Sequence, residues 1–230
     1  MLETYFLNLS SAEVFAISCS YFLALYLLIC IPVDLIRKRR LASRPDLILQ
    51  TAALKPGQIK KEVLNSLVSI FIFGWVGVFN QFGVKQGFFH IDFNPSVGRV
   101  AIEVLVLFLW NDIHFYLIHR LLHVKTLFRW IHREHHLSSV MTPYSSFSMH
   151  WIEAVLLGSV MPIAMFAHTF GVWSLLSLPV MSLVLNALGH SNLVLAPFTH
   201  RHALHHKEVT GNFGFFLPWF DRWFNTGVRS

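Results

Sequence analysis

The 230-residue chain is 54% apolar and only 13% charged, about half the charged fraction of a soluble domain, and its formal net charge is +6. That balance excludes an ordinary soluble domain, and because no basic stretch is interleaved with stacking aromatics it excludes nucleic acid as a partner. Both cysteines, Cys19 and Cys30, stand inside the first apolar run, where they read as small packing residues and not as a disulfide or a thiolate metal site.

Four long apolar runs succeed one another. Ala12 to Ile36 carries only Glu13 and Asp34, and Val63 to Val84 carries no charge. Val100 to Leu109 carries only Glu103, and Ala154 to Leu188 is uncharged over 35 residues. A span needs about 20 apolar residues to cross the hydrocarbon core. The first two runs qualify, and the third does so if it continues through Asn111 to His119. The fourth suits a hairpin divided near His168 to Val172, with Pro162 and Pro179 able to kink or shorten its arms. The expected fold is all-α, a multi-pass transmembrane helical bundle of about four to five membrane segments. Met1-Leu-Glu-Thr lacks the basic start of a signal peptide, so the first run reads as a retained helix. The loop Ala42 to Gln58, with Pro45 and Pro56-Gly57, is the natural boundary between an N-terminal anchor (residues 1–60) and the main domain (residues 61–230).

Arg37-Lys-Arg-Arg40, Arg44, Lys55, Lys60 and Lys61 come after the first span, which places that loop in the cytoplasm and against anionic headgroups. Counting passes from there returns the third span to the cytoplasmic side at His119, beside Arg120, Lys125, Arg129 and Arg133. A hairpin at Ala154 to Leu188 brings His190 and the His202 cluster to the same side, so a helical cap on the cytoplasmic face is expected.

That cap is rich in histidine. His119 and His123 lie one turn apart, and His132, His135 and His136 occupy i, i+3 and i+4, a geometry that His202, His205 and His206 repeat. Eight imidazoles in three helical groups exceed what packing asks for and suit first-row transition metals. They also exceed one coordination sphere, so two metals are expected. His190 supplies a ligand from another direction, and His150 is either a ligand or the cap of a helix that begins near Glu153. Asp112 lies seven residues before His119; it is either the hydrogen-bond partner of some ligand imidazole or a water-facing helix-end carboxylate. His90, His114, His168 and His200 fit no pattern, and Phe71, Phe73 and Trp75 are candidates to line a lipid channel. No Glu-x-x-His pair of a carboxylate-bridged bundle and no His-Glu-x-x-His of a zinc hydrolase is present. The competing reading is a histidine-rich membrane protein that binds or transports metal without redox chemistry. A carrier, however, places ionisable ligands at mid-membrane on broken helices, and these clusters lie between spans.

The chain resembles the fatty acid hydroxylase/sterol desaturase superfamily of membrane di-iron enzymes. The resemblance rests on Asp112, Tyr116, His119-Arg120 and His123, then His132-x-x-His135-His136, Pro143, His150-x-x-Glu153 and Gly189-His-Ser-Asn192. It continues through His202-x-x-His205-His206, Asn212-Phe-Gly214 and Trp219-Phe-Asp-Arg-Trp-Phe-Asn-Thr226, and so covers about residues 105 to 227. Acyl-CoA desaturases share the histidine boxes but space the first two further apart than the eight residues between His123 and His132. Phe213 stands where the family usually has tyrosine, Asn225 where it usually has glycine, and Asn186 where one relative has an extra ligand.

The resemblance implies two ferrous ions held by His119, His123, His132, His135, His136, His190, His202, His205 and His206, with O2 as co-substrate. It implies a lipid drawn from the bilayer (fatty acyl, sterol or related) that is hydroxylated or desaturated. It also implies a separate electron-donor protein, cytochrome b5-like or ferredoxin-like, because the chain contains no such segment. The expected location is the endoplasmic reticulum in a eukaryote or the inner membrane in a bacterium, with the histidine motifs facing the cytoplasm.

Overall fold

The computed structural model describes residues 2–228. A short α1 (Leu2–Asn8) leads into α2 (Ser11–Ser43), which starts where Ser10 and Glu13 cap each other: Glu13 N–H donates to Ser10 Oγ, and Ser10 N–H donates to the Glu13 carboxylate at 2.8 Å. After a polar loop come α3 (Gln58–Lys85), a two-residue strand β1 (Ile91–Asp92) and α4 (Val97–Leu122). Next are α5 (Lys125–Leu127), a π-helical turn at Phe128–His132 and α6 (Arg133–His136). The expected hairpin is α7 (Trp151–Gly158) with α8 (Val160–Ala167) going out and α9 (Val172–Gly189) coming back, and it turns at β2 (Phe170–Gly171). The cap closes with α10 (Pro197–Glu208) and α11 (Trp219–Trp223).

Among the described residues the protein is all-α apart from the parallel pairing of β1 with β2 and an isolated antiparallel bridge between Ile48 and Leu193. Helices α2, α3, α4 and α9 are each long and apolar enough to cross a membrane, and α7–α8 is a shorter apolar pair. Their outward faces are hydrocarbon: Leu28 is 72% exposed and Ile102 and Leu105 are 65% exposed, which is tolerable only in lipid.

Helices α2 and α3 approach closely because small residues face each other. A Cβ on Gly74 would collide with Cys19 Sγ, and one on Gly77 with Ser18 Oγ. Beside that seam, Tyr26, Phe73, Phe147 and Leu183 form one buried cluster; Phe89, Leu107, Phe170 and Leu178 form another. Glu103, the lone charge of the third run, has a structural reason. It accepts from Gly171 N–H and Ser174 Oγ, each at 2.7 Å, and pairs with Arg99, so it fastens the hairpin turn to α4. At the other end of the bundle Asp34 is buried between Arg37 (2.7 Å) and Lys38 (2.9 Å).

Candidate metal centre

The three histidine boxes meet at the ends of α4 and α9 beneath α10. His119 occupies the last turn of α4 and His123 caps it; His190 caps α9. The nine histidines sort into two groups, within each of which one ring nitrogen per residue lies within 4.8 Å of all the others. One group is His119, His123, His132, His136 and His205; the other is His135, His190, His202 and His206. Each His-x-x-His-His box is divided between them. His132 and His136, at i and i+4, serve one group while His135 serves the other, and His202 and His206 are separated from His205 in the same way.

Five imidazoles hold Nδ1 against an oxygen, and in four of them it is a backbone carbonyl, which can only accept and so fixes the tautomer. Nδ1 of His119 donates to Phe213 O (2.8 Å), that of His135 to Ser148 O (3.2 Å), that of His190 to Asn186 O (2.9 Å) and that of His205 to Gly211 O (2.7 Å). Nδ1 of His132 donates to Glu153 Oε1 at 2.8 Å. The Nε2 atoms of the four carbonyl-bound rings are therefore bare lone pairs turned inward. His190 Nε2 stands 3.1 Å from His135 Nε2, so two acceptors face each other with no proton between them. His123 Nε2 and both ring nitrogens of His206 are buried without a hydrogen-bond partner among the described residues. Such an arrangement is repulsive by itself and becomes favourable around cations.

Burial keeps these rings neutral, the form that ligates metal. It pushes His123 and His132 down to about 3 and His135 down to about 4. His202, His205 and His206 are also held well below the usual histidine range, by burial and then by their neighbouring imidazoles. A buried nest of neutral imidazoles fits soft-to-borderline transition ions, and the residues present fit two of them.

Two site readings from sequence are resolved differently. Asp112 is buried, so it is not a water-facing carboxylate, and none of its hydrogen bonds reaches an imidazole; it accepts Phe216 N–H at 2.9 Å and Leu217 N–H at 3.2 Å. The carboxylate that reaches a histidine of the two groups, among the described residues, is Glu153, carried in by α7 from 21 residues beyond His132. His150 lies outside both groups and caps α7, accepting Ile152 N–H on Nδ1. Phe73 does line the internal cavity, whereas Phe71 and Trp75 face outward, 52% and 53% exposed.

The closing motif is a buttress. Asp221 accepts Phe213 N–H (2.9 Å), Gly214 N–H (2.8 Å) and the Thr226 hydroxyl (2.7 Å), and this fixes the strip that presents the Gly211 and Phe213 carbonyls to His205 and His119. A side chain on Gly214 would press on Asp221 Oδ2 and Leu217 O. Asn212 (φ 57°) and Asn225 (φ 53°) take left-handed backbone, which asparagine tolerates, so the asparagine at 225 replaces glycine without loss of the turn.

A cavity of about 480 Å³ opens among the membrane helices above this centre. Its inner end is closed by Phe115, whose ring lies 4.8 Å from that of His119, by Phe215, 5.1 Å from His202, and by Asn186, whose carbonyl holds His190. Its outer end is bounded by Leu2, Tyr5, Phe6, Ile91 and Phe93. Along α9 it runs from Val172 to Asn186, about 20 Å at the helical rise.

The family model described as fatty acid hydroxylase matches residues 104–226, more than half of the chain and all of the motifs just described. The chain belongs to the fatty acid hydroxylase family. Among curated relatives, it is 23% identical over 181 residues to a delta(7)-sterol 5(6)-desaturase of Gibberella zeae, covering 74% of this chain and 56% of that one. It is 26% identical over 129 residues to methylsterol monooxygenase 1 of Rattus norvegicus, covering 52% and 44%. It is 41% identical over 64 residues to a very-long-chain aldehyde decarbonylase of Oryza sativa, covering 28% and 21%. The chain thus spans between about a fifth and just over half of these fatty acid hydroxylase relatives. No solved structure matches it.

Proposed function

We propose that this protein is a membrane-bound, O2-dependent lipid oxidase, a hydroxylase or desaturase, whose nine clustered histidines hold two iron ions. The observation that carries the reading is the convergence of nine neutral imidazoles, four with their outer proton tied to a backbone carbonyl and their inner nitrogen bare. Held there, a pair of redox-active irons supplies O2 activation and the oxidation of a lipid C–H bond.

The chain's own residues do the rest. The carbonyls of Phe213, Ser148, Asn186 and Gly211, with Glu153, orient the ligand rings. Phe115 and Phe215 separate the centre from the cavity with apolar surface, which excludes water while leaving hydrocarbon close to the imidazoles. The cavity aligns a long substrate along α9, so that one stretch of it is presented to the centre. Electrons come from a separate cytochrome b5-like or ferredoxin-like carrier. Lys125, Arg129 and Arg133, beside the second histidine box, offer an acidic carrier a complementary face. With the basic loop after α2 in the cytoplasm, the centre faces the cytoplasm as well.

Purified protein is expected to contain about two irons per chain, given the size of the donor set. His135→Ala lowers both metal content and thermal stability. Lipid extracts of expressing cells gain a species heavier by one oxygen or lighter by two hydrogens. Folded protein, never exposed to chelator and devoid of metal, overturns the proposal.

A further inference from the structure

His114 belongs to neither histidine group, yet it is a buried imidazole in the wall of the cavity, only 4% exposed. Its Nε2 lies 3.1 Å from Ser159 Oγ, and the single proton of that hydroxyl goes to Leu156 O at 2.7 Å. The ring must therefore donate from Nε2, and Nδ1 is left as an acceptor with no protein partner among the described residues. One turn earlier on the same face, Asn111 accepts from Ser182 Oγ on α9 at 3.0 Å, and its amide Nδ2 is left as a donor without a protein partner among the described residues. Asn111 and Ser182 line the same cavity.

An unmatched acceptor and an unmatched donor, one helical turn apart in the wall of one hydrocarbon-lined cavity, are costly unless a ligand completes them. A hydroxyl group completes both, because it donates through its proton and accepts on its oxygen. A carbonyl or carboxylate can only accept and would face the bare Nδ1 lone pair. Hydrocarbon would satisfy neither. The station sits about 7 to 12 Å from His119 along α4, five and eight residues away at the helical rise.

Resting on the lipid-oxidase reading, we propose that Asn111 and His114 recognise an alcohol, and that the substrate is a long lipid whose hydroxyl is read one to two helical turns from the carbon that is oxidised. The hydroxyl can belong to an acyl-chain alcohol or to a polycyclic sterol, and the recognising chemistry is the same.

The test uses the full chain in phosphatidylcholine nanodiscs. Octadecanol is offered with octadecane, and separately cholesterol with cholestane; bound lipid per protein is counted by native mass spectrometry against empty nanodiscs. The alcohol is expected to outcompete its hydrocarbon by about 5- to 30-fold, as one to two net hydrogen bonds imply. The pair that shows the preference identifies the chain or the ring. His114→Leu and Asn111→Leu should each remove most of that preference, whereas His114→Asn, which keeps an acceptor near the Nδ1 position, should retain it. Metal content should be unchanged in all three variants, which separates lost recognition from lost folding. Equal binding within both pairs, or an undiminished preference in His114→Leu, overturns the proposal. Absence of the preference in wild-type protein that oxidises lipid removes the station and leaves the oxidase. A preference retained in a protein that oxidises nothing keeps the station as a binding site and removes the oxidase.

Discussion

Replacing Glu153 tests how the centre is organised. Its Oε1 accepts the Nδ1 proton of His132 at 2.8 Å, and the two side chains are only 3% and 2% exposed, so water cannot stand in for the carboxylate without new space. Glu153→Leu fills that volume with hydrocarbon and strands the His132 proton, at a cost of about 1–3 kcal/mol for a buried donor left unsatisfied. It also frees the ring to turn and to exchange tautomers. Lost partners of this kind lower metal affinity by about 10- to 100-fold, or about 1.4 to 2.8 kcal/mol, which agrees with the hydrogen-bond figure. Glu153→Gln keeps an acceptor oxygen and should lose less than about 10-fold. Asp112→Asn is the matched control. It weakens the clamp on Phe216 and Leu217 and should cost about 1–3 kcal/mol of stability. It should leave metal affinity within about threefold, since the carboxylate touches no imidazole. Iron affinity is read by competition with a chromophoric chelator, and stability by thermal unfolding in the same detergent. Wild-type affinity in Glu153→Leu, or a loss of about 10-fold in Asp112→Asn, would refute the assignment.

Acid should unfold metal-free protein more readily than its other groups require. His123, His132 and His135 are depressed from about 6.5 to between about 3 and 4, so the unfolded chain takes up protons before the native one does. Their contribution is present above about pH 6.5 and is lost as pH falls toward about 4, and circular dichroism of chelator-treated protein across that window checks it. Cysteines placed at Lys38, Lys125 and Lys207 should label from one side of the membrane, and at Phe88 and His168 from the other; opposite labelling at 125 and 207 is incompatible with a shared centre. Asp221→Ala should release the Phe213 strip, lowering iron content together with melting temperature, because the carbonyls of that strip orient His119 and His205. A variant with full iron occupancy and an unchanged melting temperature would remove the buttress role.

The membrane class, the hairpin and the three histidine boxes are legible in the sequence because each is local. Hydrocarbon runs measure span length, and i, i+3, i+4 spacing comes from a helical period that holds without neighbours. Partner choice is not local. Asp112 stands on the same stripe as His119, yet its side chain meets the Phe216–Leu217 backbone, while Glu153 arrives at His132 on another helix. The division of each His-x-x-His-His box between two histidine groups, and the backbone carbonyls that fix the ring tautomers, leave no mark in residue identity. They depend on where α4, α7, α9 and α10 cross, and only tertiary packing sets that, because a helix fixes which side chains share a face but not what that face meets.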